Sequence, residues 1–149
     1  MIKRFAYLIF INLLCLSFTS KADEITLESI PSTEGAGLIC RKNKIEINIY
    51  GETYRGKITV IKNSNRYQVI SNAEYYNVPI YYHDDNDENI KSEVVFTVTK
   101  RYFIQNKKVV SAISSDPIDK EKAEEELSLI SIALKEAHEN KKCLSWNIQ

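Results

Sequence analysis

The chain has 149 residues, with 20 Lys and Arg against 20 Asp and Glu, three cysteines, four glycines and three prolines. Such a balance leaves nucleic acid and anionic membrane as poor partners. The four glycines, Gly35, Gly37, Gly51 and Gly56, never form a phosphate-cradling loop, and no repeat period or low-complexity tract appears.

Residues 1–22 read as a cleaved signal peptide. Lys3 and Arg4 form a basic start, Phe5 to Phe18 is an almost unbroken apolar run, and Ser20-Lys21-Ala22 offers small residues to a signal peptidase. The run is short for a transmembrane helix, and Asn12-Leu13-Leu14 before Cys15 does not fit a lipoprotein site. The mature chain is expected to start near Asp23 as one domain over 23–149, carrying 17 basic and 20 acidic residues. Export is expected to lead to the periplasm, since no Asn-x-Ser/Thr acceptor occurs.

Short alternating stretches come next. Asp23 to Ile30 predicts a strand, Pro31 to Gly37 a loop, and Leu38 to Cys40 renewed pairing. Lys44 to Tyr50 is the clearest strand, with Ile45, Ile47 and Ile49 on one side and Glu46, Asn48 and Tyr50 on the other. Gly51 to Gly56 predicts a turn. Lys57 to Lys62 and Tyr67 to Ser71 predict a hairpin around Asn63-Ser64-Asn65-Arg66. Asn72 to Asn77 is ambiguous, and Pro79 disfavours a central strand there. After an acidic loop, Ser92 to Phe103 predicts a strand with Val94, Phe96 and Val98 on one face. Gln105 to Lys108 turns the chain, and Val109 to Ile113 returns antiparallel.

Asp116 to Cys143 predicts one long helix. Asp116 suits the N-cap, Pro117 the first helical position, and acidic residues crowd the early turns. Ala123, Leu127, Ile130, Leu134 and Ala137 recur at spacings of three and four, widened by Leu129, Ile132 and Ala133. Lys141 and Lys142 close the last turn. The expected class is α+β: an antiparallel meander of about five to seven strands with the helix packed across one face. The stripe also has the heptad-like spacing with which a second copy could pair as a homodimer.

With Cys15 removed, Cys40 and Cys143 remain, and in an exported chain a lone pair predicts one disulfide. Trp146 is expected to cover that bridge. No catalytic set, cofactor motif or metal pattern emerges. Asp85-Asn86-Asp87-Glu88-Asn89 opens like an EF-hand loop, but Ile90 stands where glycine must turn and Phe96 where the bidentate glutamate belongs. His83 and His138 lack patterned second ligands. No nucleophile elbow occurs.

The candidate binding segment is instead Tyr75, Tyr76, Tyr81, Tyr82, His83, Asp84, Asp85, Asp87 and Glu88. Tyrosine supplies rigid apolar area with a polar tip, and adjacent carboxylates steer a basic partner. The expectation is a non-enzymatic periplasmic protein that binds another protein. Its specific form is an inhibitor or immunity protein occluding a basic envelope hydrolase of lysozyme or peptidoglycan amidase type. The alternatives are a small-ligand or scaffold module with an apolar cavity, and a hydrolase whose carboxylates converge only in space.

Overall fold

The computed structural model describes residues 22–31, 34–77, 93–114 and 120–148. Seven strands, β1 (Asp23–Leu27), β2 (Gly35–Cys40), β3 (Lys44–Gly51), β4 (Tyr54–Asn63), β5 (Arg66–Tyr76), β6 (Val94–Gln105) and β7 (Lys108–Ser114), precede helix α1 (Lys120–Glu139). The strands pair in chain order, each antiparallel to the next, in a single sheet. The α+β class, the meander and the helix across one face are therefore as the alternation and the 3.6-residue stripe require.

Several boundaries move for tertiary reasons. Gly35-Ala36-Gly37, expected in a loop, belong to β2, because β1 and β3 satisfy the backbone on both sides and Ala36 is buried. Gly35 has φ 132°, where an L side chain is strained. Gly51 and Gly56 end and continue strands around a Glu52-Thr53 turn. The ambiguous 72–77 stretch continues β5 through Tyr76, flanked by β4 and β6. Between β6 and β7 the turn is two residues, Asn106 and Lys107, both at positive φ as a type I′ hairpin needs.

Registers stack the core in rows. Ile25, Leu38, Ile47 and Ile58 lie side by side on the helix-facing side, and so do Cys40, Ile45, Val60, Val69 and Tyr102. Leu38, Ile45, Ile47, Val60, Val69 and Ile104 are buried there, meeting Ala123, Ile130, Ala133, Leu134 and Ala137 from α1. The three alanines let the helix approach the sheet closely, and truncating a side chain such as Ile130 at this seam costs about 2–5 kcal/mol. Leu127 and Leu129 are partly buried against the seam. Ile132, expected to widen it, is exposed, because two residues past Ile130 the helix has turned about 200° away.

The helix crosses the strands rather than following them. Glu126 Oε1 accepts hydrogen bonds from Ser71 Oγ on β5 at 2.9 Å and Lys100 Nζ on β6 at 3.0 Å. Nearly three turns later, the Glu136 carboxylate accepts from Glu28 N (2.7 Å), Ser29 N (3.0 Å) and Ser29 Oγ, just past β1. Partial burial works against the charged form of Glu136, but these donors outweigh it and hold its carboxyl below the ordinary range. Twenty helical residues reach about 30 Å, close to the width of six inter-strand gaps of about 4.8 Å.

The helix ends earlier than its sequence pattern. Lys141 adopts φ 57°, its N–H donates to His138 O at 2.9 Å, and Lys142 N–H donates to Ala137 O at 2.8 Å. This is a Schellman cap, so Lys141, Lys142 and Cys143 lie beyond the helix. The expected start, Asp116 and Pro117, lies outside the described residues. The reversal brings Cys143 to Cys40, and the two form a disulfide with Cα atoms 5.7 Å apart. Trp146 is buried over it, with Nε1–H donating to Arg41 O at 2.7 Å and its ring 6.1 Å from that of Tyr67. Among the described residues, no helix is long and apolar enough to cross a membrane.

Candidate functional site

A helix about 10 Å wide covers only a band of each strand. The 12 residues of β6 extend about 40 Å at about 3.4 Å per residue, so one end of β6 must project beyond that band. Lys100 lies under α1 through Glu126, whereas Phe96 lies four residues farther out. There β7 has stopped as well, its Ser114 pairing with Lys100. As a result Val94, Val95 and Phe96 are 46%, 62% and 52% exposed. Among the described residues, Phe96 and the bulged Val95 leave exposed apolar area at this end that neither α1 nor β7 covers, while Val94 turns to the opposite face.

Of the tyrosines expected to form the binding segment, Tyr75 meets this surface. Tyr75 pairs with Phe96 across β5–β6, their rings stacked at 4.4 Å and 12°. On its other side Tyr75 packs against Tyr54 of β4, ring centroids 5.2 Å apart and tilted 58°. The three rings form a ladder across β4, β5 and β6 on the helix-facing side, beyond the helix. Burial pushes the Tyr54 hydroxyl above its ordinary pKa, helped by Tyr75 and Glu126. The Tyr54 ring folds back over Gly56, where a Cβ would meet its Cζ at 2.8 Å.

Tyr76 points to the opposite face, as successive strand residues must. Its hydroxyl donates to Glu74 Oε2 at 2.8 Å, and the Arg55 guanidinium lies 5.8 Å from its ring centroid. The Glu74 hydrogen bond leads in raising the pKa of this hydroxyl. Tyr75 and Tyr76 thus share a strand end but not a surface. Val94 parts company with Phe96 for a similar reason. A bulge opposite Tyr75 and Tyr76 inserts Val95, so Val94 pairs with Tyr76 and leaves the face expected for Val94, Phe96 and Val98. Tyr81, Tyr82, His83, Asp84, Asp85, Asp87 and Glu88 lie outside the described residues.

The sequence contains a signal that reasoning from it missed. Val94-Val95-Phe96 reads as core because it is β-branched and aromatic, yet it sits at the far end of the longest described strand, beyond the reach of α1. Comparing strand lengths with helix width marks that end as uncovered.

Elsewhere the polar groups fasten structure. Tyr102 is buried, and burial, then the neighbouring Glu126, pushes the ionisation of its hydroxyl far above the ordinary range. His138 Nε2 lies 3.2 Å from Cys143 O at the helix end, where its N–H can donate. No group of three or more His, Cys, Asp or Glu capable of holding a metal ion occurs among the described residues. Phe96, at the twelfth position of the EF-like spacing, lies within β6. An open groove of about 440 Å³ runs between the helix and the tail, lined by Leu134, Lys135, His138, Trp146 and Ile148 among others.

Comparison with known proteins finds no matching family model, no matching curated protein and no matching solved structure.

Proposed function

We propose that this protein is an exported, non-enzymatic module that binds another protein through the uncovered end of β5 and β6. Its specific role is that of an inhibitor or immunity protein occluding an envelope-acting hydrolase of the lysozyme or peptidoglycan amidase type. The observation that carries the reading is the exposure of Val95 and Phe96 at the strand end that holds the Tyr54–Tyr75–Phe96 ladder. Contiguous apolar and aromatic area on a polar chain is the composition of an interface centre, where aromatic anchors provide most of the affinity. Export is supported by the basic and apolar residues of 1–22 and by the Cys40–Cys143 bridge, since disulfides persist in oxidising compartments. The acidic residues Asp84, Asp85, Asp87 and Glu88 between β5 and β6 add the charge that would steer a basic enzyme.

The test is inhibition of purified lysozyme and amidase acting on peptidoglycan, using the chain from Asp23 onward. The native chain is expected to inhibit at least one of them. Val95→Ser with Phe96→Ser is expected to weaken that inhibition at least about tenfold, the loss of one or two interface anchors. Inhibition that survives this substitution would move the site elsewhere, and absence of inhibition of either class would overturn the inhibitor role.

A further inference from the structure

Among the described residues, helix α1 covers one side of the sheet and no element covers the other. Pairing places on that open side the cations Lys44, Arg55, Lys57 and Arg101, joined by Arg41 and Arg66 at strand ends. Against these six stand three carboxylates, Glu24, Glu46 and Glu74. A chain with equal numbers of acids and bases has therefore segregated them. The helix sequence is the acidic counterpart, with Glu121, Glu124, Glu125, Glu126, Glu136 and Glu139 against Lys120, Lys122 and Lys135.

The cations are also held in place. Glu46 binds Arg41 Nη1 at 2.6 Å, Lys57 Nζ at 2.8 Å and Lys44 Nζ at 3.1 Å. Lys57 leads in holding its carboxyl down to about 2, against the opposing effect of burial and with help from Arg41 and Lys44, so it stays ionised. Three cations on one carboxylate leave two positive charges uncompensated, and the three side chains remain 41–49% exposed. Arg66 lies over the Phe103 ring at 4.5 Å and Arg55 over Tyr76, which fixes two more guanidinium planes. Ordering such long side chains in advance removes part of the entropy that binding would otherwise cost.

The middle of this face lacks what a protein partner would anchor on. Ile39, Ile61 and Ile70 are only half-exposed, and the exposed Tyr50 and Val94 lie at one end. Asn48, Asn72, Thr59 and Thr99 fill the rows between the charges. A broad polar surface with fixed cations and no apolar centre fits a flexible anionic chain better than a shaped interface.

We infer that the open face of the sheet, centred on Arg41, Lys44 and Lys57, is a docking surface for a polyanionic glycan, a polysaccharide bearing repeated carboxylate, sulfate or phosphate groups. Such a contact would hold the protein on an anionic polymer while leaving the β5–β6 end free, and it stands or falls apart from the role proposed for that end.

The test uses the chain from Asp23 onward and dextran sulfate as probe, with uncharged dextran as blank. Binding is expected to dextran sulfate alone and to weaken roughly 40-fold between about 50 and about 200 mM salt, the effect of releasing three counterions at a slope of about −0.9 each. Arg41→Gln, Lys57→Gln and Arg101→Gln together should lower affinity at low salt at least about tenfold and flatten the salt dependence. Lys122→Gln, Lys135→Gln and Lys142→Gln together remove as much charge elsewhere and should leave binding within about twofold. Thermal melts establish that both variants are folded. No binding to dextran sulfate at low salt would overturn the inference, as would equal loss in the two variants. Tighter binding to poly-L-glutamate of matched charge would replace the glycan with an acidic protein.

Discussion

Removing the disulfide by Cys40→Ala with Cys143→Ala gives the sharpest test of how this fold is held. The bridge joins residues 103 apart, so in the chain-entropy account it closes a loop of about 100 residues and is worth about 4.7 kcal/mol. A domain of about 127 residues has a stability of roughly 6–19 kcal/mol, so the variant should still fold but lose a large part of its margin. At about 2.1 cal/mol/K of unfolding entropy per residue, the same loss lowers Tm by about 18 °C. The assay is thermal and urea unfolding followed by fluorescence. Trp146 is the sole tryptophan, buried beside the bridge in the core, so its emission follows both the seating of the tail and the loss of the fold. If the bridge acts through the unfolded chain, Trp146 in the variant should keep its blue-shifted emission at low temperature while Tm falls. A drop of less than about 5 °C would refute the loop-entropy reasoning. Red-shifted emission in the cold would show instead that the bridge is needed to seat Trp146 against Arg41 and Tyr67.

Two further outcomes follow from named contacts. Glu46 ionises at about 2 in the folded chain against an ordinary 4.5, so its contribution is present above the unfolded value and is lost as pH falls from about 4.5 to about 2. Because its cationic partners are nearly half exposed, that contribution is discounted to about 1–2 kcal/mol. Glu46→Gln should therefore lower stability at neutral pH by that amount and make no difference near pH 2, checked by urea unfolding across the range. Gly56→Ala would put a methyl group 2.8 Å from Tyr54 Cζ and 3.0 Å from Cε1, forcing the ring off its seat. Overpacking of this kind costs about 1–3 kcal/mol, and the near-ultraviolet circular dichroism of the Tyr54–Tyr75–Phe96 ladder should change with it. An unchanged Tm and spectrum would mean that the ring moves freely and the ladder is not a fixed platform.

What the chain determines by itself is what periodicity and covalent chemistry can carry. Alternation in Lys44 to Tyr50 puts Ile45, Ile47 and Ile49 in the core, and the stripe from Ala123 to Ala137 makes α1 a one-sided helix. With Cys15 assigned to a signal peptide, the two remaining cysteines leave a single pairing. These are local rules, so they survive without coordinates. Tertiary structure alone decides how far each element reaches and what covers it. Gly35 to Gly37 becomes strand because its neighbours supply hydrogen bonds, against its own propensity. The helix stops at Glu139 because the chain must reverse for Cys143 to reach Cys40. Phe96 and Ile58 are equally apolar in sequence, but one row of the sheet passes under α1 and another projects beyond it. The grouping of Arg41, Lys44 and Lys57 on Glu46 likewise depends on the β3–β4 register, since only pairing brings Lys57 beside a carboxylate eleven residues earlier. Burial is a property of the assembled layers, and the candidate surfaces lie where, among the described residues, the transverse helix α1 does not reach the sheet.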